Sequence, residues 1–243
     1  MSRTLDRFHH PQGSSRLAGA VRVSLDRPGR QIVEMACSLL LDYPEEDMTE
    51  EVAQVRAELG SLPRAVAASI EEFCAAAESM GVRASQEHYV RTFDHQRRCA
   101  LYLSYFVEGD TRGRGQAILA FREIMQRAGF EQVGNELPDY VPVCLEFAAL
   151  DDSGTGEELV ASHREGLEVV RSALTDSGSH YARLLDALLM ILPSPSRDTV
   201  ATVRRLISQG PPTELVGLGM PGGGAPVPDP LNVQPVPVGF KER

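Results

Sequence analysis

The sequence contains almost no lysine, because Lys241 is the only one in 243 residues. Phosphate-binding loops of the GxxxxGK type, Schiff-base chemistry and SxxK nucleophiles each require a lysine. The GxSxG, GxGxxG and HExxH motifs of hydrolases, dinucleotide-binding proteins and zinc peptidases are also missing. These absences exclude the common catalytic and nucleotide-binding classes, so we expect a protein that is not an enzyme and carries no cofactor.

Metal motifs and long apolar runs are missing as well. The four cysteines, Cys37, Cys74, Cys99 and Cys144, form no CxxC-like pair. Buried free thiols are therefore favoured over a zinc or iron–sulfur site. No run of about eighteen apolar residues occurs, and the N-terminus lacks the apolar stretch of a secretory signal. We expect a cytoplasmic protein without a metal site.

Cations are fewer than anions, since 24 Lys and Arg against 34 Asp and Glu give a formal net charge of −10. Nucleic-acid binding needs clustered cations, so this balance argues against it. It suits a basic protein partner, although solubility alone is an alternative explanation of the same charge. The hydrophobic content of 42% is that of an ordinary globular protein and predicts a folded domain with an apolar core.

Apolar residues recur at helical spacing through the middle of the chain. The first stripe, which we expect to be one buried face, consists of Ile32, Met35, Ala36, Leu39 and Leu40. Four later stripes are Val66, Ile70, Phe73 and Ala77; Ile118, Phe121 and Met125; Leu167, Val170 and Leu174; and Tyr181, Leu184, Leu185, Leu188 and Leu192. No segment alternates as a strand would. The pattern predicts an all-α protein, a single bundle of about eight to ten helices.

Both ends of the chain differ in composition from its middle. Residues 1–30 carry six arginines among Pro, Gly and Ser, and residues 210–243 hold eight prolines and seven glycines. Neither end has enough large apolar groups to offset the entropy lost on ordering. We therefore predict a flexible Arg-rich leader over 1–30, an all-helical domain over 31–209 and a disordered tail over 210–243.

The start of one predicted helix has unusual chemistry. Asp110, or the threonine after it, can cap this helix. Arg112 and Arg114 then lie in its first turn, where the helix dipole disfavours cations. Gly113 and Gly115 each cost roughly 1 kcal/mol relative to Ala. We expect close backbone approach at the glycines and carboxylate partners for the arginines. The candidate carboxylates are Asp94 and Glu136.

A second unusual segment follows Glu136. Pro142 lacks a backbone N–H and fits only the first turn of a helix, so that helix should begin near Asp139 or Tyr140, with Asp139 as its cap. Pro138 lies in the turn before it. An ordinary capped turn between helices is the structural alternative to a functional site here.

Five short motifs occur in an order typical of one family. They are LLLDYP at 39–44, YVRTFD at 89–94, LYLSYF at 101–106, GDTRGRGQAI at 109–118 and ELPDYVPVCLEFAA at 136–149. Together they resemble the nitrate reductase delta-subunit chaperones, the NarJ type, within the TorD/DmsD group of redox-enzyme maturation proteins. The resemblance is best over residues 31–150.

This resemblance implies an all-α fold and a chaperone role. Such proteins bind the apo form of the catalytic (alpha) subunit of respiratory nitrate reductase in the cytoplasm, through its basic N-terminal segment. They hold it for molybdenum cofactor insertion and membrane assembly. The negative charge agrees with such a partner, because electrostatic steering and an apolar groove act together in peptide capture.

The resemblance also suggests where a partner peptide would bind. We expect an aromatic groove lined by Tyr102, Tyr105, Phe106 and Tyr140. Acidic residues expected to face the cationic peptide are Asp110, Glu136 and Asp139. Residues expected to have a structural role in these motifs are Asp94, Arg112, Gly113, Arg114, Gly115, Pro138 and Pro142. Each aromatic residue is equally compatible with a core position. The wider group commonly has His where this chain has Tyr140, so no pH-dependent role is expected there.

Two other functions are compatible with these patterns. One is a chaperone for a different molybdoenzyme, because one sequence does not pair a groove with its partner. The other is a hydrolase, since paired carboxylates can act as acid and base when burial separates their pKa values. The carboxylates in question are Asp94, Asp110, Glu136, Asp139 and Glu146. Roles as helix caps and ion-pair partners explain them better.

Overall fold

The computed structural model of the protein describes residues 22–108, 112–193 and 239–242. These ranges contain ten α-helices. The helices are α1 (Arg27–Leu41), α2 (Met48–Glu58), α3 (Arg64–Met80), α4 (Val82–Tyr89), α5 (Tyr105–Glu108), α6 (Arg112–Arg127), α7 (Val141–Leu150), α8 (Thr155–Ser162), α9 (Arg164–Asp176) and α10 (Ala182–Ile191). The prediction of an all-α bundle of eight to ten helices is confirmed.

Helix α7 lies at the centre of the bundle. Its sequence, VPVCLEFAAL, is apolar on nearly every side, which is typical of a helix surrounded by protein. It packs mainly against α1 and α8, while α10 packs against α3, α9 and α1. At Gly156 of α8, an added Cβ would lie 2.6 Å from the Cα of Ala148. Only glycine permits this close approach of the two helices.

Helix α1 begins earlier than the sequence predicts. The Asp26 side chain accepts a hydrogen bond from the Gly29 N–H at 3.1 Å, and Pro28 occupies the first turn, where its missing N–H costs nothing. Before the helix, the Val23 N–H donates to the Met190 carbonyl at 2.9 Å. The prediction of a flexible leader over 1–30 is therefore wrong for residues 22–30, because Pro28 starts a helix instead of preventing one. Residues 1–21 lie outside the described ranges.

Two short strands were not expected. Strand β1 (Phe130–Val133) pairs antiparallel with β2 (Gly239–Glu242). The prediction of a tail without helix or strand is wrong for these four C-terminal residues. A four-residue strand carries too few side chains for an alternation signal, and its partner lies far away in sequence. Residues 194–238, which include the predicted domain boundary at 209, lie outside the described ranges.

The regular helix is interrupted where one motif occurs. Helix α4 continues into a π-helical turn, Val90–Asp94, and a 3₁₀ turn follows at Arg97–Cys99. A π-helical turn is rare and often accompanies a functional site. Within the described ranges, no helix has both the length and the apolar character needed to cross a membrane.

All four cysteines are buried free thiols, as predicted. Burial is the main cause that raises the pKa of each thiol, to about 11 for Cys74 and well above its usual value for Cys37 and Cys144. Cys37 donates a weak hydrogen bond to the Leu184 carbonyl at 3.5 Å. The thiols therefore behave as small apolar side chains of the core.

Candidate partner-binding site

The two unusual segments lie side by side. The Leu103 N–H donates to the Asp139 carbonyl, and the Val141 N–H donates to the Leu101 carbonyl, each at 2.9 Å. Between these bonds Tyr102 pairs with Tyr140, the residue that precedes α7, in an isolated antiparallel bridge. The backbone therefore joins the LYLSYF motif to the ELPDY motif, although the two are far apart along the chain.

Arg114 lies over an aromatic surface. Its guanidinium carbon is 5.2 Å from the centre of the Tyr102 ring and 5.9 Å from that of Tyr105. Both distances are within cation–π range. The two rings are partners of Arg114 that the sequence did not predict. The close backbone approach expected at Gly115 is wrong, since nothing lies within 4 Å of a Cβ added there. Asp110 and the side chain of Arg112 lie outside the described part.

Charged motif residues act on the pKa of Tyr102. Burial raises this pKa most, the carboxylates of Glu136 and Asp139 raise it further, Arg114 lowers it, and Asp94 raises it least. Four charged residues predicted to belong to the site therefore influence one hydroxyl. Glu136 and Asp94 are exposed. They remain available to a ligand, whereas Asp139 does not.

Asp139 is completely buried, with 0% of its surface exposed. Its Oδ2 accepts a hydrogen bond from the Ser104 hydroxyl at 2.5 Å, while its Oδ1 has no hydrogen-bond partner among the described residues. The expectation that Asp139 faces a cationic peptide is therefore wrong for this conformation. It does not cap α7 either, because Tyr140 occupies the cap position and no side chain caps the helix. Asp139 instead holds the LYLSYF segment against the loop.

Tyr140 is also part of the interior, with 6% of its surface exposed. Its hydroxyl donates to Oδ1 of Asp42 at 3.0 Å. The Tyr89 hydroxyl lies 2.7 Å away and therefore donates to Tyr140. Burial is the largest of the causes that raise the pKa of both tyrosines far above its usual value. Tyr140 therefore does not line an open groove. Asp42, Tyr89 and Ser104 take part in this site, and the sequence did not predict their roles.

The two motif prolines are fixed by similar bonds. The Pro142 carbonyl accepts from the Ser38 hydroxyl at 2.8 Å, and the Pro138 carbonyl accepts from Cys144 Sγ at 3.2 Å. Pro142 lies in the first turn of α7, as predicted.

Hydroxyl hydrogen bonds link Tyr89, Tyr140 and Asp42, and another joins Ser104 to Asp139. We name these five residues the motif core.

Part of the predicted aromatic groove stays accessible. Tyr102, Tyr105 and Phe106 are half-buried. Tyr105 and Phe106 meet edge to face with ring centres 5.5 Å apart. Phe106 is held against α9, because a Cβ added at Gly166 would lie 3.1 Å from the Phe106 Cβ. We name the set Tyr102, Tyr105, Phe106, Arg114 and Glu136 the motif surface.

A second candidate surface lies between α1 and α2. It is an open groove of about 660 Å³, and we name it the apolar groove. Its apolar lining comprises Pro28, Ile32, Met35, Ala36, Leu39, Val55, Ala57 and Ala149. The sequence analysis placed Ile32, Met35 and Leu39 on one buried face, but all three are half-exposed. This part of the first stripe has no helix packed over it within the described residues.

Carboxylates dominate the connection between α1 and α2 and the first turn of α2. They are Asp42, Glu45, Glu46 and Asp47 in the connection, and Glu50 and Glu51 in the first turn. The pKa of Glu51 is raised by burial and then by Asp47, Asp42 and Glu45, in that order. These like charges therefore repel one another, and a cationic ligand would relieve the repulsion. Glu58 lines the groove itself.

The hydrolase alternative finds little support in this geometry. Asp139 is buried against Ser104, whereas Glu136 and Asp94 are exposed. A carboxylate pair for acid and base work needs both members beside one substrate pocket. Within the ranges that the structure describes, no group of three or more His, Cys, Asp or Glu side chains could hold a metal ion.

The helical fold has a counterpart among solved structures. A crystal structure from Archaeoglobus fulgidus, described as a putative redox enzyme maturation protein, superposes with a TM-score of 0.50, covering 65% of this chain and 90% of that one at 24% sequence identity. The two proteins share the all-helical fold.

The nitrate reductase delta subunit family model matches residues 59–186. A Bacillus subtilis protein named "Probable nitrate reductase molybdenum cofactor assembly chaperone NarJ" is 34% identical over 67% of this chain and 89% of its own length. An Escherichia coli K12 protein named "Nitrate reductase molybdenum cofactor assembly chaperone NarJ" is 29% identical over 63% of this chain and 66% of its own. The chain belongs to the nitrate reductase delta subunit family. The resemblance seen in the motifs is confirmed, and it extends past residue 150 into α10.

Proposed function

We propose that this protein is a cytoplasmic, non-catalytic chaperone for respiratory nitrate reductase. It binds the apo catalytic subunit through the basic N-terminal segment of that subunit. It holds the subunit until the molybdenum cofactor is inserted and the enzyme assembles at the membrane. The relatives named as assembly chaperones support this class of function.

The apolar groove is the observation that carries the proposal. An amphipathic helix binds a protein by placing its apolar face in a groove between helices. The groove offers a mainly apolar lining, with Ile32, Met35 and Leu39 on one side and Val55 and Ala57 on the other. Because exposed apolar surface of this kind is costly in water, a partner that covers it gains affinity.

The charge near the groove selects a basic segment. The acidic connection between α1 and α2 and the net charge of −10 attract cations over a distance. Electrostatic complementarity of this kind speeds association and rejects acidic competitors. We therefore assign the apolar groove to the apolar face of the segment and the acidic connection to its basic residues.

The motif surface forms a second contact with the same subunit in this proposal. Tyr102, Tyr105 and Phe106 offer aromatic area, and Glu136 offers a carboxylate for a cation. Asp110, outside the described part, is proposed to act with them. Asp139 and Tyr140 contribute from beneath, because their bonds in the motif core fix the loop that carries Glu136.

Calorimetry with a synthetic peptide tests the proposal. The peptide covers the N-terminal segment of the nitrate reductase catalytic subunit, and we expect a Kd of about 1 μM or tighter that weakens as salt is added. The control peptide has glutamine in place of each basic residue and should bind more weakly. No heat at high peptide concentration, or equal binding of both peptides, would contradict the proposal. Tighter binding of a peptide from another molybdoenzyme would reassign the partner.

A further inference from the structure

Strand β1 is fixed beside the motif surface. It follows α6 and leads directly into the loop that carries Glu136. The Gln132 side-chain amide donates to the Glu136 carbonyl at 2.8 Å. At the other end of the strand, the Phe130 ring packs on Phe147 of α7 with ring centres 5.1 Å apart. The strand is therefore anchored both to the core and to the loop.

The chain's own last described residues cover one edge of β1. The antiparallel register places Phe130 opposite Glu242, Gln132 opposite Phe240 and Val133 opposite Gly239. The same register places Glu131 opposite position 241. An exposed strand edge readily accepts another strand, so this edge is a binding surface that β2 occupies.

The pairing has the energetics of a reversible contact. A two-stranded ladder is marginal in water. The ladder formed by β1 and β2 spans only four residue pairs. The paired and released states therefore lie close in free energy. Because β1 and β2 belong to one chain, their pairing is intramolecular.

We propose that Gly239–Glu242 is a built-in competitor for the β1 edge. An extended segment of the partner subunit displaces it there while the subunit docks on the motif surface. The replacing segment is expected to present a lysine or arginine opposite Glu131, because opposite charges at facing positions favour strand pairing. The identity of the partner rests on the proposed function, whereas the exchange of strands rests on the register of β1 and β2.

Disulfide trapping tests the pairing without any partner. Facing residues of an antiparallel pair have Cα atoms about 4.5–5.5 Å apart, within the range that a disulfide spans. We expect the full-length Gln132→Cys/Phe240→Cys variant to cross-link on mild oxidation. The matched control, Gln132→Cys/Lys241→Cys, should not, because adjacent residues of a strand point to opposite faces. The native cysteines are buried and give little background. Equal cross-linking of both variants, or of neither, overturns the proposal.

Binding of the cofactor-free catalytic subunit tests the competition. The oxidised Gln132→Cys/Phe240→Cys protein should bind this subunit about tenfold more weakly than its reduced form, and a chain ending at Val238 should bind more tightly than the full chain. The N-terminal peptide, which occupies the apolar groove, should bind all forms equally. If the oxidised, reduced and truncated forms bind the subunit equally, the competitor role of β2 is overturned while the proposed function stands. If none binds the subunit or the peptide, the proposed function fails.

Discussion

The motif core includes Asp42, which follows α1, and the apolar groove is lined by α1 itself, yet the two regions differ in how their side chains are satisfied. In the motif core, Ser104 and Tyr140 make specific hydrogen bonds to carboxylates. In the groove, Met35 and Leu39 are left half-exposed. The family's motif residues therefore maintain the shape of the bundle, while less conspicuous apolar residues form the larger accessible surface. Changes in the first region should alter stability, and changes in the second should alter binding.

Removing a hydrogen bond from the motif core should have the largest effect. In Ser104→Ala the buried Asp139 carboxylate loses its side-chain donor, and we expect the free energy of unfolding to fall by about 3 kcal/mol. Urea unfolding measures this change. Ser61→Ala is the matched control, because the Ser61 hydroxyl bonds the Glu58 carbonyl in an exposed turn and its loss should cost little. Equal losses in both variants would contradict a special role for the motif core.

A buried acid on α1 gives the next largest effect. Glu34 has 2% of its surface exposed, and burial first, then Glu157, raises its pKa from 4.5 to about 8 despite Arg27 and Arg30. Between these values the unfolded chain loses the proton while the folded protein keeps it, so wild-type stability falls as pH rises. Below pH 4.5 the carboxyl is protonated in both states, and this effect disappears.

Glu34→Gln removes this penalty and should stabilise the protein by about 2 kcal/mol at pH 8, with little change at pH 4. Unfolding curves at both pH values provide the measurement. Glu165→Gln, which removes an exposed carboxylate from α9, serves as the control and should show no comparable pH-dependent gain. A Glu34→Gln protein that is less stable than wild type at pH 8 would refute the prediction.

Placing a charge in the apolar groove should have the smallest of the three effects. The quantity that changes is the free energy of peptide binding. Met35→Asp puts a carboxylate against the apolar face of the peptide, and we expect about tenfold weaker binding, or ~1.4 kcal/mol. Calorimetry with the N-terminal peptide measures it. Val169→Asp is the matched control, because Val169 is an apolar residue of α9 with 45% of its surface exposed. Equal weakening by both variants would remove the groove from the proposal.

The sequence predicted the helices because their signal is local. The stripe of Val66, Ile70 and Phe73 in α3 is buried as expected, since α3 packs mainly against α10. The stripe in α1 was misread because its apolar arc is wide: Val33 and Cys37 face the core, while Met35 lies in the groove. Helical spacing shows which residues share a face but not whether a second helix covers that face.

The site was harder to predict because burial there depends on distant contacts. Tyr140 was expected at the surface, but its hydroxyl bonds Asp42, 98 residues earlier in the chain. Asp139 resembles an ordinary helix cap in sequence, yet Ser104 holds it in the interior. The chemistry of a side chain is visible in one sequence, whereas the neighbour that satisfies it is not. That Asp94 or Glu136 is the carboxylate partner of Arg114 stays a prediction, although all three residues act on the pKa of Tyr102.

The buried thiols have a consequence for how this protein meets metal ions and other thiols. Iron and zinc bind the thiolate form, and exchange with a partner's cysteines also proceeds through it. Because burial keeps Cys37, Cys74 and Cys144 protonated, none of them offers an incoming metal a competing destination. A protein built this way can stay beside a partner that carries metals or thiols without capturing a metal ion or forming mixed disulfides through these three cysteines.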